Sequence, residues 1–169
     1  KSNPPRIPGF PASLGLKSGW VVATQDTNAN EKSFPGGFPL PTSLQEVMKK
    51  CESNLYVTFW NEKGEAIGAP VRVDSAGKAI TSPFATTVGS SKERDWEATL
   101  PGMARDKDGN VFIVWTDFRS GYAEVYGRIL NPTGTQLGSE LKIGEGWNGR
   151  VAFDGSGFQV VWSSLPAET

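Results

Sequence analysis

The residues of this chain best suited to chemistry are two carboxylates and an arginine around one predicted turn. Asp117 ends a strand-like run, Glu124 opens the next, and Arg119 stands between them. Two carboxylates on either side of a glycosidic bond are the usual machinery of glycoside hydrolysis. If the chain is an enzyme, we expect a glycan hydrolase with Asp117, Glu124 and Arg119 as catalytic residues. Further carboxylates available to such a site are Glu93, Asp95 and Glu97.

Composition excludes several other kinds of site. The 169 residues include no histidine, which rules out Ser-His-Asp and Cys-His nucleophiles and histidine-based zinc or copper centres. The glycine-rich segments do not match the spacing of Walker or dinucleotide-binding loops. The single cysteine, Cys51, cannot form an internal disulfide. We therefore expect no cofactor.

One short acidic segment has residues that could bind a metal. Asp106, Asp108 and Asn110 alternate along the chain, and alternating carboxylates can converge on calcium. The segment lacks the glycine spacing of an EF-hand loop, and Asp108-Gly109 is typical of a hairpin turn. We predict a turn here and no metal site, with calcium binding as the alternative.

Aromatic residues at strand ends and in loops are the candidates for ligand contact. An exposed indole can stack on a sugar ring or anchor a protein partner, whereas burial against a neighbouring sheet is the alternative for every tryptophan. Trp115 and Trp162 stand in matching strand patterns and are predicted to pack in the core. Trp20 lies at a strand start. The predicted ligand-binding residues are Trp60, Trp96, Trp147 and Phe38.

A series of short predicted strands positions these side chains. Val111 to Asp117 is β-branched and aromatic, which is typical of a buried strand. Asp108-Gly109 predicts a tight hairpin with positive φ at both turn residues, after a strand that starts near Thr99. Asn131-Pro132-Thr133-Gly134 predicts a second turn. The strands flanking this turn are Tyr122 to Leu130 and Gln136 to Ile143.

Parts of this unit recur along the chain. Three pairs of segments align without gaps: 125–143 on 55–73 at an offset of 70, 103–117 on 150–164 at an offset of 47, and, more weakly, Trp20–Thr24 on Phe112–Thr116. The second alignment places Trp115 on Trp162. Units of this size stack so that each one buries the faces of its neighbours.

The order of motifs resembles the repeats of secreted bacterial β-propeller proteins. The residues that carry the resemblance are Ile113-Val114-Trp115-Thr116-Asp117 with Arg119, Tyr126-Gly127 with Arg128, and Asn131-Pro132-Thr133-Gly134. The resemblance implies an all-β, propeller-like array of four-stranded antiparallel blades and a secreted or cell-surface location. Asp117 and Arg119 belong to the repeated motif, which suggests an ion pair that stabilises the turn.

We expect residues 1–169 to form one propeller-like domain, or part of one, of about two and a half blades. The first blade covers 1–73 with an insertion at 25–53, a regular blade covers 98–143, and half a blade covers 148–164. Sialidase-type propellers add arginines for a substrate carboxylate, a role open to Arg119, Arg128 and Arg150. The Ser-x-Asp-x-Gly-x-Thr-Trp box of that class is missing from the sequence.

The remaining segments are predicted to be irregular, with one exception. Thr42 to Cys51 is predicted to be a short helix, because Ser43 and Glu46 form a capping box before an apolar stripe. It would serve as a lid or recognition element, or as a patch on a blade edge. Residues 1–11, with four prolines, should pack onto a sheet rather than within it. Residues 74–97 form a second long loop.

Charge and hydropathy narrow the range of partners. The net charge is −1 and no basic run occurs, so we expect no nucleic acid. No apolar run approaches the roughly 18 residues of a membrane helix, so we expect no membrane insertion. The last half-blade leaves an open sheet edge, which a protein partner, a second copy or a continuation of the chain would complete.

We therefore predict a non-enzymatic recognition or assembly module, with ligand or partner contacts on loops 25–53 and 74–97. Its partners would be proteins, with glycans as a further ligand class. One alternative is a sialidase-like propeller hydrolase, and another is a purely structural segment of a larger assembly.

Overall fold

Every element of the described chain is a β-strand. The computed structural model describes residues 6–8, 11–28, 52–75, 79–80, 100–117, 119–120 and 123–164. The strands are β1 Arg6–Pro8, β2 Ala12–Leu16, β3 Gly19–Asn28, β4 Glu52–Trp60, β5 Ala66–Arg72, β6 Ala79–Ile80, β7 Gly102–Arg105, β8 Val111–Asp117, β9 Glu124–Leu130, β10 Leu141–Glu145, β11 Trp147–Phe153 and β12 Phe158–Ser163. The all-β prediction is confirmed for these residues, and the predicted helix at 42–51 lies outside them.

The first sheet has five strands, of which β1 and β2 share one edge position beside β3. β3 pairs with β4 along one edge, and β4 pairs with β5. The other edge of β3 holds β2 against residues 19–23 and β1 against residues 26–28, end to end. β2 and β3 therefore form a hairpin through the turn at residues 17–18. Two expectations were wrong. Residues 6–8 of the proline-rich segment join the sheet as an edge strand, a position that tolerates proline, and β3 continues to Asn28, into the insertion expected at 25–53.

The second sheet repeats this arrangement, and the third has only two described strands. β8 pairs with β9 on one edge, and β9 pairs with β10. The other edge of β8 holds β7 and β6 end to end. All pairings are antiparallel, and β11 pairs with β12 alone among the described residues.

The hairpins β4–β5 and β9–β10 have the same register. Three of the four cross-strand pairs in the first have a counterpart 70 positions later: Tyr56↔Arg72 with Tyr126↔Lys142, Val57↔Val71 with Gly127↔Leu141, and Trp60↔Ala66 with Leu130↔Gln136. The turns also correspond, because Asn61 and Asn131 each accept two backbone N–H groups through the side-chain oxygen. The predicted strand from Gln136 to Ile143 is broken, however: a single bridge at Gln136 precedes β10.

The other two alignments need small corrections. In the hairpins β7–β8 and β11–β12, the second strands β8 and β12 align as predicted. The first strands β7 and β11 are shifted by one residue from the predicted alignment. The shift arises because the turn at Asp154–Gly157 is one residue shorter than the turn at Asp106–Asn110. The register of β3 against β4 likewise places Trp20 at the position of Val111, one residue before the predicted Phe112.

The turn before β8 forms differently from the prediction. The hairpin exists, but the loop spans Asp106 to Asn110, and only Gly109 has positive φ. The Asp106 carboxylate accepts the backbone N–H groups of Asp108 and Asn110 at 2.9 and 2.8 Å. This side chain closes a wider turn than the Asp-Gly pair alone indicates.

The core lies on both faces of the second sheet. One face, here called its packing face, carries Val111, Ile113 and Trp115 against Val21 and Val57 of the first sheet. The opposite face, its receiving face, carries Phe112, Val114 and Val125 against Val151, Phe158 and Val160 of the third sheet. All seven residues of β8 are therefore buried, which explains the continuous apolar run.

The three sheets are stacked in the same sense. Phe158 and Val160 of β12 occupy the positions of Val111 and Ile113 in β8, and both pairs face the preceding sheet. The second and third sheets thus each lay their packing face on the receiving face of the sheet before them. A two-layer sandwich would instead bury one face of each sheet and leave no central layer.

A glycine joins the second sheet to the third at a point of close approach. Gly146 has φ +127°, and an added Cβ would lie 2.0 Å from the Ser163 carbonyl oxygen. We expect Gly146→Ala to lower the free energy of unfolding by about 2 kcal/mol or more. Gly155→Ala is the matched control, since its φ is also positive but nothing lies within 4 Å; about 1 kcal/mol is expected. Urea titration compares them, and equal losses would contradict the backbone contact.

Candidate functional site

Asp117 lies at the end of β8 as the acceptor of a buried ion pair. Its side chain is 0% exposed, and Oδ2 accepts from Arg119 Nη2 at 2.7 Å. Oδ1 accepts the backbone N–H of Arg119 at 2.9 Å, and the Trp115 indole N–H donates to Oδ2 at 3.3 Å. The predicted turn-stabilising ion pair is present, and it uses both carboxylate oxygens.

Arg119 extends this pair into a cluster that joins two sheets. It donates to Glu140 Oε1 and to Ser75 Oγ, the latter at 3.2 Å, and its guanidinium lies 3.9 Å from the Tyr126 ring centroid. Glu140 also accepts the backbone N–H of Ser75, which follows β5 in the first sheet. Burial lowers the pKa of Arg119, but hydrogen bonds to Asp117 and Glu140 outweigh it and raise the pKa above its ordinary value. Arg119 therefore stays positively charged and connects the end of β8 to Glu140 and to Ser75 of the first sheet.

Glu124, the second candidate carboxylate, lies directly across from Asp117 in the β8–β9 register. Lys142 Nζ donates to its Oε1 at 2.5 Å, and the Tyr126 hydroxyl donates to Oε2 at 3.0 Å. Burial raises the pKa of Glu124, but the hydrogen bonds from Lys142, Tyr126 and Ser120 outweigh it and lower the pKa. A catalytic acid needs a raised pKa, so this environment favours a fixed carboxylate.

Glu124 makes stability depend on pH on the acid side. Because its folded pKa lies below the ordinary 4.5, its stabilisation is complete above about pH 4.5 and is lost as the pH falls through the folded pKa. We expect the difference in unfolding free energy between wild type and Glu124→Gln to be largest at pH 7 and to shrink below pH 4.5. Urea titrations from pH 7 to pH 3 measure it, with Glu62→Gln in an exposed turn as control. A difference that is independent of pH would contradict the ion pair.

The sequence identified part of this cluster. It pointed to Asp117, Arg119 and Glu124, and Arg128 also approaches Glu140, at 3.9 Å. Arg150 instead donates to the carbonyls of Leu100 and Gly149. Glu140 was missed, although Gly138-Ser139 interrupts the strand pattern just before it. Glu93, Asp95 and Glu97 lie outside the described residues.

The calcium candidates are engaged in the turn. Asp106 Oδ2 accepts the Asn110 side-chain amide at 2.8 Å, in addition to its two backbone contacts. On the surface, Asp108 Oδ2 forms an ion pair with Lys107 Nζ at 3.0 Å. Among the described residues, no group of three or more acidic, cysteine or histidine side chains is placed to hold a metal ion.

The predicted aromatic contacts are dispersed. Trp60 ends β4 on the outer face of the first sheet, opposite Trp20, whereas Trp147 lies half-buried in β11 opposite Ser163. Phe38 and Trp96 lie outside the described residues. Trp115 is 1% exposed, as predicted for a core residue, but Trp162 is 39% exposed and donates its indole N–H to the Glu145 carbonyl at 2.9 Å.

A groove lined by uncharged residues lies on the outer face of the first sheet, which is the face opposite the second sheet. Its volume is about 320 Å³, and its lining residues are Trp20, Val22, Thr24, Thr58, Trp60 and Gly64. The Trp60 indole nitrogen is shielded from solvent and has no hydrogen-bond partner among the described residues. The two tryptophans were candidates from the sequence, but the residues between them were not, although strand alternation places all five side chains of β3 and β4 on one face.

No family model, curated protein or solved structure matches this chain. Within the described part, no helix is long and apolar enough to cross a membrane. Functional assignment therefore depends on the ion-pair cluster, the groove and the sheet edges.

Proposed function

We propose that this chain is a non-enzymatic recognition or assembly module, secreted or displayed at a cell surface, whose sheets are propeller blades. The observation that carries the proposal is the half-filled third sheet. β12 occupies the position of β8, and its edge opposite β11 corresponds to the edge of β8 that β9 fills. No described strand pairs with that edge of β12.

The chemistry of this edge favours an added strand. An edge strand presents unpaired backbone N–H and C=O groups, which bind an extended segment in β-augmentation. β12 also exposes large apolar side chains, with Val161 68% exposed. The strand comes from a partner chain, a second copy or a continuation of this chain.

The candidate catalytic groups support a structural role. Asp117 is held by Arg119, and Glu124 by Lys142, so each carboxylate has its own cation. The pKa of Glu124 is lowered by its hydrogen bonds to Lys142 and Tyr126, which does not favour the protonated acid that glycoside hydrolysis requires. Turnover in a broad glycoside panel that disappears in Asp117→Asn and Glu124→Gln variants, with folding retained, would overturn this proposal.

A peptide complement tests the edge directly. A labelled peptide with the sequence of residues 123–145 contains β9 and β10, the strands that complete the second sheet. We expect it to bind the folded chain at one-to-one stoichiometry and to slow hydrogen exchange at residues 158–163. The same peptide with Gly127→Pro is the control, because proline removes a backbone N–H and disrupts the strand. A folded protein that shows neither binding nor protection would contradict edge completion.

A further inference from the structure

The outer face of the first sheet corresponds, position by position, to a face that is buried elsewhere in the molecule. Trp20 pairs with Trp60 as Val111 pairs with Leu130, so alternate residues of β3 match the packing face of β8. Val22 lies at the position of Ile113, and Thr24 at that of Trp115. The groove residues are thus the packing face of the first sheet.

This face has no described sheet against it. In the second sheet, Val111 and Ile113 are fully buried by the first sheet. In the first sheet, Trp20 and Val22 are only half-buried and Thr24 is exposed, and they line an open groove. The packing face lacks, within the described chain, the receiving face that it fits.

The receiving face of the third sheet is exposed at the other end of the described stack. Val161 of β12 lies at the position of Val114, which is fully buried against the third sheet, yet Val161 is the most exposed large apolar residue described. Ala152 and Gln159 are cross-strand partners on the same face and are also exposed. The described stack therefore has at its two ends exposed surfaces that correspond in position to the two halves of its own internal interface.

Both exposed surfaces carry apolar side chains, as the two halves of the internal interface do. In that interface Trp115 of the packing face lies in one cluster with Val21, Leu55 and Phe59 of the receiving face. The exposed surfaces have Trp20 and Trp60 on one and Ala152 and Val161 on the other. The groove residues carry no charge, and Arg150, the cross-strand partner of Val161, directs its guanidinium to the carbonyls of Leu100 and Gly149.

We propose that the packing face of the first sheet docks on the receiving face of the third sheet in a second copy of this chain. The inference rests on the proposed function as an assembly module and names the surfaces and the partner. The contact joins unlike surfaces head to tail, so it generates closed rings or open chains of copies. It is separate from strand addition at the β12 edge, which uses backbone groups.

Sedimentation velocity over a concentration series tests the contact with two exposed positions. Thr24→Glu places a charge on the packing face, and Val161→Glu places one on the receiving face. We expect the wild type to self-associate and each variant to remain monomeric. A mixture of both variants should form a one-to-one dimer, because each retains the face that the other lacks. Thr133→Glu, in the exposed turn after β9, should associate like the wild type.

Each other outcome contradicts the docking contact in a distinct way. A wild type that is folded by circular dichroism and monomeric throughout the series would overturn it. Association that both variants abolish but their mixture does not restore would show that these two faces do not bind each other, and it would also overturn the contact. Association that persists in the variants but is blocked by the 123–145 peptide would assign assembly to the β12 edge. That outcome would overturn the docking contact and leave the proposed function intact, whereas failure of the peptide to bind would count against the proposed function.

Discussion

Replacing Asp117 with asparagine is expected to lower the free energy of unfolding by about 3 kcal/mol, near the lower end of the range for breaking a buried ion pair. The carboxylate is fully buried and holds the Arg119 guanidinium, the Arg119 backbone N–H and the Trp115 indole. The substitution leaves a largely buried cation without its nearest anion. The expected loss stays at the lower end because Arg119 is 21% exposed and keeps Glu140 as a partner.

Urea unfolding at pH 7, followed by circular dichroism and tryptophan fluorescence, measures this loss. Asp108→Asn is the matched control, because Asp108 pairs with Lys107 on the open surface and should leave the unfolding midpoint unchanged. A double-mutant cycle with Arg119→Gln should give a coupling energy of about 1–3 kcal/mol. An Asp117→Asn protein as stable as the wild type would refute the stabilising role of the Asp117–Arg119 ion pair.

Replacing Trp115 with alanine is expected to cost about 3–5 kcal/mol, the usual range for large aromatic residues in a core. Trp115 is the largest fully buried side chain of the described residues. It fills the interface between the first and second sheets, and its ring stacks on Tyr126 at 6.4 Å between centroids. Removing it leaves a cavity between sheets that each depend on the other for burial.

Two further variants separate the contributions of Trp115. Trp115→Phe keeps most of the ring but removes the indole N–H from Asp117, so its loss should be intermediate. Trp162→Ala should cost less than half as much as Trp115→Ala, because Trp162 is 39% exposed at the equivalent position of the third sheet, whereas Trp115 is 1% exposed. Chemical denaturation of the three variants gives these values. Equal losses for Trp115→Ala and Trp162→Ala would contradict the expectation that the difference in burial decides the contribution of each ring.

The strands, turns and short-range ion pair of this fold were largely predictable from sequence. The Val111–Asp117 run is a strand because β-branched and aromatic residues suit a pleated, buried surface. Asn61 and Asn131 close equivalent turns because a short amide side chain can bond to the backbone two and four residues ahead. The sequence alignment at an offset of 70 predicted matching cross-strand pairs in the hairpins β4–β5 and β9–β10, because identical turn lengths fix the same register. The Asp117–Arg119 pair also spans only two residues.

Longer-range features were not predictable in the same way. Glu140 reaches Arg119 only because the chain breaks its strand before β10, and Ser75 joins them from another sheet. The proline-rich lead was expected outside the sheet, but an edge of β3 was free to accept it. In each case the deciding contact joins residues far apart in sequence, so no local pattern records it.

The amino-acid sequence alone determined that this chain forms short antiparallel strands with defined turns and that segments of it have the same internal register. Strand alternation also sorted side chains into two faces. Only the tertiary structure decided which face of each sheet is covered, and therefore why Trp115 is core while Trp20 and Trp60 line a groove. The physical reason is that alternation is a property of one strand, whereas burial depends on the neighbouring sheet that the stacked fold places against it.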